Sequence, residues 1–100
     1  KNEYLESTLR ISKVAKNFYL KFEEINQKKI YVYKPNANFL LIEFFKEKDL
    51  VKVNKKLFEE GFIAKSIIKR EGVPDFCLRI AVQDDETNNK VASVIIQALI

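Results

Sequence analysis

Histidine and methionine are missing from this 100-residue chain, and cysteine occurs once, at Cys77. Without histidine there is no imidazole to bind a metal and no histidine-based nucleophilic triad. A lone thiol forms no intrachain disulfide, and a catalytic thiol would want a histidine beside it. Cys77 lies in an apolar stretch. It reads as a small buried hydrophobe in a reducing compartment, the cytoplasm. The carboxylates show no tight ligand spacing, so no metal site is expected. No apolar run approaches the roughly 20 residues of a membrane span, and no secretory leader is visible. The lack of methionine, with Lys1 opening inside a helical pattern, leads us to expect a piece of a longer protein. Arginine is scarce as well: three Arg stand against fifteen Lys.

What is present describes one folded unit. The chain is 47% hydrophobic, 12% aromatic and 32% charged, enough apolar surface for a core. Residues 1–100 make a single domain. A domain this size buries only about two-thirds of its unfolded surface, so it gains from a partner. The net charge is +4, but Lys, Glu and Asp are interleaved along the chain. That pattern is a solvated lysine-rich surface. No RNA-binding or zinc-finger spacing turns it into a nucleic-acid footprint.

Hydrophobic periodicity divides the chain. Residues 3–26 read as a long amphipathic helix, with Tyr4, Ile11, Val14, Phe18, Phe22 and Ile25 at helical spacing. Leu5, Leu9, Tyr19 and Leu20 give that helix a second apolar edge, which would pack on something further. Residues 30–33 form a short strand, ended by the break at 34–38 around Pro35. Residues 39–45 form a central strand, apolar on both faces except at Glu43. Asp49 is placed to cap a helix over 50–60, and Gly61 to end it in the left-handed conformation. A short strand is expected at 62–64, a charged loop at 65–75 and a strand at 76–82. Asp84, Asp85 and Glu86 start a last helix. The expected fold is an α/β (α+β) sandwich, a small mostly antiparallel or mixed sheet with helices mainly on one face.

The residue that stands out is Arg79, in the run Phe76-Cys77-Leu78-Arg79-Ile80-Ala81-Val82. Strand alternation puts Leu78, Ile80 and Val82 on one face and Cys77, Arg79 and Ala81 on the other. Where any cation would serve, this chain uses lysine. An arginine here points to two-pronged binding of a carboxylate or phosphate. The structural alternatives are an ion pair with Glu43 of a neighbouring strand, or a guanidinium reaching the sheet edge. Lys65, Lys69 and Arg70 could together hold an anion, or simply solvate a loop. Asn38 could hydrogen-bond a ligand, or satisfy its own turn.

Three segments in this order resemble a known family: Pro35-Asn36-Ala37-Asn38-Phe39-Leu40-Leu41-Ile42, then Leu57-Phe58-Glu59-Glu60-Gly61-Phe62-Ile63-Ala64-Lys65, then Cys77-Leu78-Arg79-Ile80-Ala81-Val82. They are similar to the C-terminal small domain of fold-type I pyridoxal-phosphate aminotransferases, most of all the histidinol-phosphate aminotransferases. The helix from residue 84, with Glu86 and Asn88 at its start, fits that family's closing helix. The resemblance implies that a large domain, absent here, binds pyridoxal 5'-phosphate and that no residue of this chain is catalytic. It implies that Arg79 holds the substrate α-carboxylate and that Lys65 stands where the family usually has an arginine for the substrate phosphate. Gln83 replaces a usual glycine. The implied partners are an amino-acid or amino-phosphate substrate, the large domain of the same polypeptide and a second copy in a homodimer. A related phosphothreonine decarboxylase and a free-standing ligand-binding or regulatory module are the competing readings.

Overall fold

The computed structural model describes residues 13–35, 38–68 and 74–100. The expectations for residues 3–12, for Asn36 and Ala37, and for Lys69, Arg70 and Gly72 lie outside them. The first described element, α1, covers residues 13–20. It is followed by β1 (Ile30–Val32), β2 (Phe39–Phe44), α2 (Glu47–Glu59), β3 (Lys65–Ile68), β4 (Phe76–Ala81) and α3 (Asp85–Leu99).

The four strands form one antiparallel sheet in the order β1-β2-β4-β3. The register pairs Ile42 with both Val32 and Leu78, and Leu40 with Ile80. Directly opposed residues share a face, so these pairs build one continuous apolar surface. Ile30, Val32, Leu40, Ile42, Phe44, Leu78 and Ile80 are all buried on it. Phe18 and Phe22 from the first helical region, Leu50, Val53 and Leu57 of α2, and Val91, Ile95, Ala98 and Leu99 of α3 complete the same core. The expected two-layer sandwich is the fold found, and its sheet is wholly antiparallel among the described residues.

The leading helix ends earlier than its pattern. Regular α-helix ends at residue 20, and the chain continues to 25 in tighter turns, with Lys21 N–H on the Phe18 carbonyl and Phe22 N–H on that of Tyr19. The chain then reverses: Gln27 takes φ 72, and the Asn26 side chain accepts a hydrogen bond from Val32 N–H at 2.9 Å. Apolar spacing alone does not register that reversal.

Helix α2 starts at Glu47 rather than at residue 50, with Lys46 at the cap and no side-chain cap bond. Asp49 therefore sits in the first turn, where its charge favours the positive helix end. The other end is as expected. Gly61 has φ 89, Phe62 N–H bonds the Leu57 carbonyl at 2.8 Å, and Gly61 N–H bonds that of Phe58 at 3.0 Å. This pair of bonds is the Schellman arrangement, and Phe62 beside Leu57 supplies its apolar contact. The apolar run 62–64 belongs to that helix ending and is not a strand. The strand comes next, at Lys65–Ile68, where a loop was expected.

Asp84 caps α3, its carboxylate accepting from Thr87 N–H at 2.8 Å. Asn88 is the buried polar residue of the described set. Its amide closes on the Gln83 peptide with two 2.9 Å bonds, accepting from the N–H and donating to the carbonyl. At the far end of α3, the Lys29 ammonium donates to the Leu99 carbonyl at 2.7 Å.

Candidate functional site

The helices cover one face of the sheet. Alternation places Arg79 on the other, with Phe39, Leu41 and Glu43 of β2, Tyr31 of β1, and Lys65 and Ile67 of β3. Tyr33 follows β1, and its N–H bonds the Leu41 carbonyl at 3.0 Å, which sets it beside Leu41. Arg79 lies between Leu41 on one side and Lys65 on the other. The structure thus makes Lys65 and Arg79 direct cross-strand partners. Lys65 is a strand residue, not part of the loop expected at 65–75. Asn38 stands at the entrance to β2, where its carbonyl accepts from Val82 N–H at 2.8 Å and extends the β2–β4 ladder. It lies beyond Phe39, away from the Arg79–Lys65 row.

Arg79 is half-buried, and its guanidinium carbon lies 4.5 Å from the centre of the Phe39 ring. Glu43, the partner in the alternative ion-pair reading of Arg79, is otherwise engaged. It sits opposite Cys77 and accepts a 2.8 Å hydrogen bond from the Tyr33 hydroxyl. That bond, helped by burial and by the Glu43 charge, raises the Tyr33 pKa to about 12. Tyr31 packs edge-on to Tyr33 with ring centres 4.7 Å apart. Among the described residues the ion pair formed is Lys90 with Glu86, on the exposed side of α3.

Cys77 shares this face but is buried, and its thiol points to the Pro74 carbonyl at 3.6 Å. Burial first, then the nearby Glu43 charge, raises its pKa to about 11. It is a protonated packing residue, as the missing histidine implied. No group of His, Cys, Asp and Glu able to hold a metal occurs among the described residues, and none of their helices is long and apolar enough to cross a membrane.

The cofactor implied by the resemblance does not fit the described residues. Its phosphate wants a helix N-terminus with free N–H groups, or a glycine turn that lets backbone approach. The N-terminus of α3 carries Asp84, Asp85 and Glu86, and that of α2 carries Glu47 and Asp49. The Thr87 hydrogen bonds hold the Asp84 carboxyl below its ordinary range, so its charge persists there. Gly61 is exposed, and a Cβ added to it would meet nothing within 4 Å. What this face can do is bind an anion through Arg79 and Lys65.

Sequence reasoning did not place Phe39, Tyr31 and Tyr33 on this face. The every-second-residue spacing Tyr31, Tyr33 and Phe39, Leu41, Glu43 carried the signal, but the β1–β2–β4 register was needed to join it to Arg79.

Comparison with known proteins places these features in context. Residues 1–95 match the family described as Aminotransferase class I and II. A search of curated proteins finds no match. Among solved structures, a decarboxylase from Sulfurospirillum multivorans is similar with a TM-score of 0.63 and 21% sequence identity. The likeness covers 99% of this chain and 26% of that one, and it concerns the fold.

Proposed function

Because the chain belongs to the class I and II aminotransferase family, we propose that residues 1–100 are the C-terminal small domain of a longer pyridoxal-phosphate-dependent aminotransferase of the cytoplasm. The large domain of the same polypeptide would hold the cofactor, and two such polypeptides would form a homodimer. The cofactor supplies the electron sink for amino-group transfer. This chain's part is to hold the substrate. Arg79 grips the carboxylate of an amino acid or, together with Lys65 beside it, the phosphate of an amino alcohol phosphate such as histidinol phosphate. The amino group then passes to a 2-oxo acid.

The observation that carries this reading is the direct pairing of Arg79 with Lys65 across β3 and β4. Like charges directly opposite each other destabilise a sheet. An anion placed over both converts that repulsion into attraction. Arginine presents two parallel N–H donors to a carboxylate, which fixes orientation as well as position, and lysine adds a point charge suited to phosphate. A carboxylate held in this way lets the rest of the substrate be aligned for reaction.

The test is Arg79→Lys in the full-length enzyme. We expect a higher KM for the amino donor and a lower kcat, a combined loss of about 1.5–3 kcal/mol from one charge-assisted bond. Unchanged steady-state constants remove Arg79 from the site. A second reading, supported by the fold likeness to a decarboxylase, keeps the same clamp and changes the reaction to loss of carbon dioxide. Carbon dioxide release from the amino donor, rather than formation of its oxo product, would select it.

A further inference from the structure

We propose that Phe39 is a positioning residue for Arg79, holding the guanidinium flat so that its N–H edge stays available to the substrate carboxylate. The proposal rests on the reading of Arg79 as the carboxylate clamp and adds what sets its geometry.

The argument starts from how an arginine on a sheet face is usually held. A nearby carboxylate takes the N–H fork, and the fork is then occupied. Here the carboxylate within reach on the same face, Glu43, accepts from the Tyr33 hydroxyl at 2.8 Å. Among the described residues a ring face, not a carboxylate, holds the guanidinium, with Cζ 4.5 Å from the Phe39 centroid. Cation–π attraction acts along the normal of the ring, between its face and the guanidinium. It uses no hydrogen-bond acceptor, so it does not occupy the fork of N–H donors as a carboxylate would. A stacked arginine is thereby restrained in orientation while its donors remain uncommitted.

The neighbours support this division. Phe39 lies diagonally across from Arg79, since it pairs with Ala81, the next residue on that face of β4. A methyl at Ala81 leaves the ring room to lean toward position 79. Lys65 on the opposite side is a like charge and cannot dock the guanidinium. Phe39 is 37% exposed, so its ring is not demanded by the core. A lysine at position 79 would lose the guanidinium's contact with the ring and the fork together. This accounts for one of the three arginines standing here in a chain that otherwise uses lysine.

The test uses the full-length enzyme and succinate, an unreactive carboxylate probe, with its Kd measured by calorimetry beside KM and kcat for the amino donor. Phe39→Leu keeps bulk but removes the ring. It should raise the succinate Kd and the KM by about three- to tenfold, the worth of a partly exposed cation–π contact. The unfolding temperature and kcat should move little. Phe39→Tyr keeps the ring and should restore Kd to within about twofold. In an Arg79→Gln background, Phe39→Leu should add almost nothing, because the two act through one contact. The proposal is overturned if the Leu and Tyr variants bind succinate alike, or if Phe39→Leu costs as much without Arg79 as with it. Should Arg79→Gln weaken binding while Phe39→Leu does not, the clamp stands and the positioning role falls. Should Arg79→Gln leave succinate binding unchanged, the clamp itself falls and takes this proposal with it.

Discussion

The two faces of this sheet are made by the same strands and have little else in common. One residue separates Leu78, buried under three helices, from Arg79, which meets a ring and a neighbouring lysine. The covered face is aliphatic with Phe44, and its polar exception among the described residues, Asn88, lies on the helix layer with its hydrogen bonds made. The other face carries tyrosines, a glutamate and two cations, one of which, Arg79, lies over the Phe39 ring. The difference shows how strand alternation lets one small sheet confine burial to one set of residues. Burial free energy comes from that set, and the other set is free of the demands of the helix-covered core.

That contrast can be broken first at its strongest point. Leu78→Ala should lower unfolding free energy by about 2–5 kcal/mol, because a fully buried leucine leaves a cavity. Such a loss is a large part of the roughly 5–15 kcal/mol that holds a domain together. Leu41→Ala, half-buried on the opposite face, should cost less than about half as much. Urea midpoints of the two variants measure this, and equal losses would erase the distinction between faces. A smaller effect is expected at Asn88→Ala, which strips both partners from the Gln83 peptide. It should cost about 1–2 kcal/mol in a thermal or urea melt. A neutral result would mean that water replaces the amide at no expense. The smallest belongs to the open face. Tyr33→Phe should cost about 0.5 kcal/mol or less, since solvent screens a half-buried bond. Its sign with pH is definite. Folding raises the phenol from an ordinary 10.0 to about 12. The Tyr33 contribution is therefore complete below pH 10 and is lost as pH rises toward 12. The wild type and Tyr33→Phe should converge in stability over that window, and curves that stay parallel would show that the bond to Glu43 does not matter.

Much of the covered face could be read from residue spacing. The six-residue strand Phe39–Phe44, the stripe Leu50, Val53 and Leu57, and Gly61 past the helix end are local signals with local causes. Arg79 was readable as an outlier on the uncovered face for the same reason. The failures sit where a distant partner decides. Lys65–Ile68 is an edge strand with one neighbour, and its first two residues are polar: Lys65 lies on the open face, and Ser66, opposite Leu78, accepts a hydrogen bond from the Asn54 amide of α2, so both look like loop. Phe62-Ile63-Ala64 looks like a strand because a helix ending wanted an apolar residue at Phe62. Once β3 was misplaced by a few residues, the Lys65–Arg79 pairing was out of reach. The hold of Tyr33 on Glu43, which bears on the alternative ion-pair reading of Arg79, depends on cross-strand register that spacing does not encode.

The bond from Lys29 to the Leu99 carbonyl spans 70 positions. The last turn of α3 has no basic residue of its own, so the negative end of that 15-residue helix is answered from the approach to β1. The final helix is thus an unfinished object until the front of the sheet is in place. The end of α3 is completed from the approach to β1, which ties those two parts of the chain together. A peptide cut to α3 alone should fray from Leu99 backwards, while in the intact domain that end is latched.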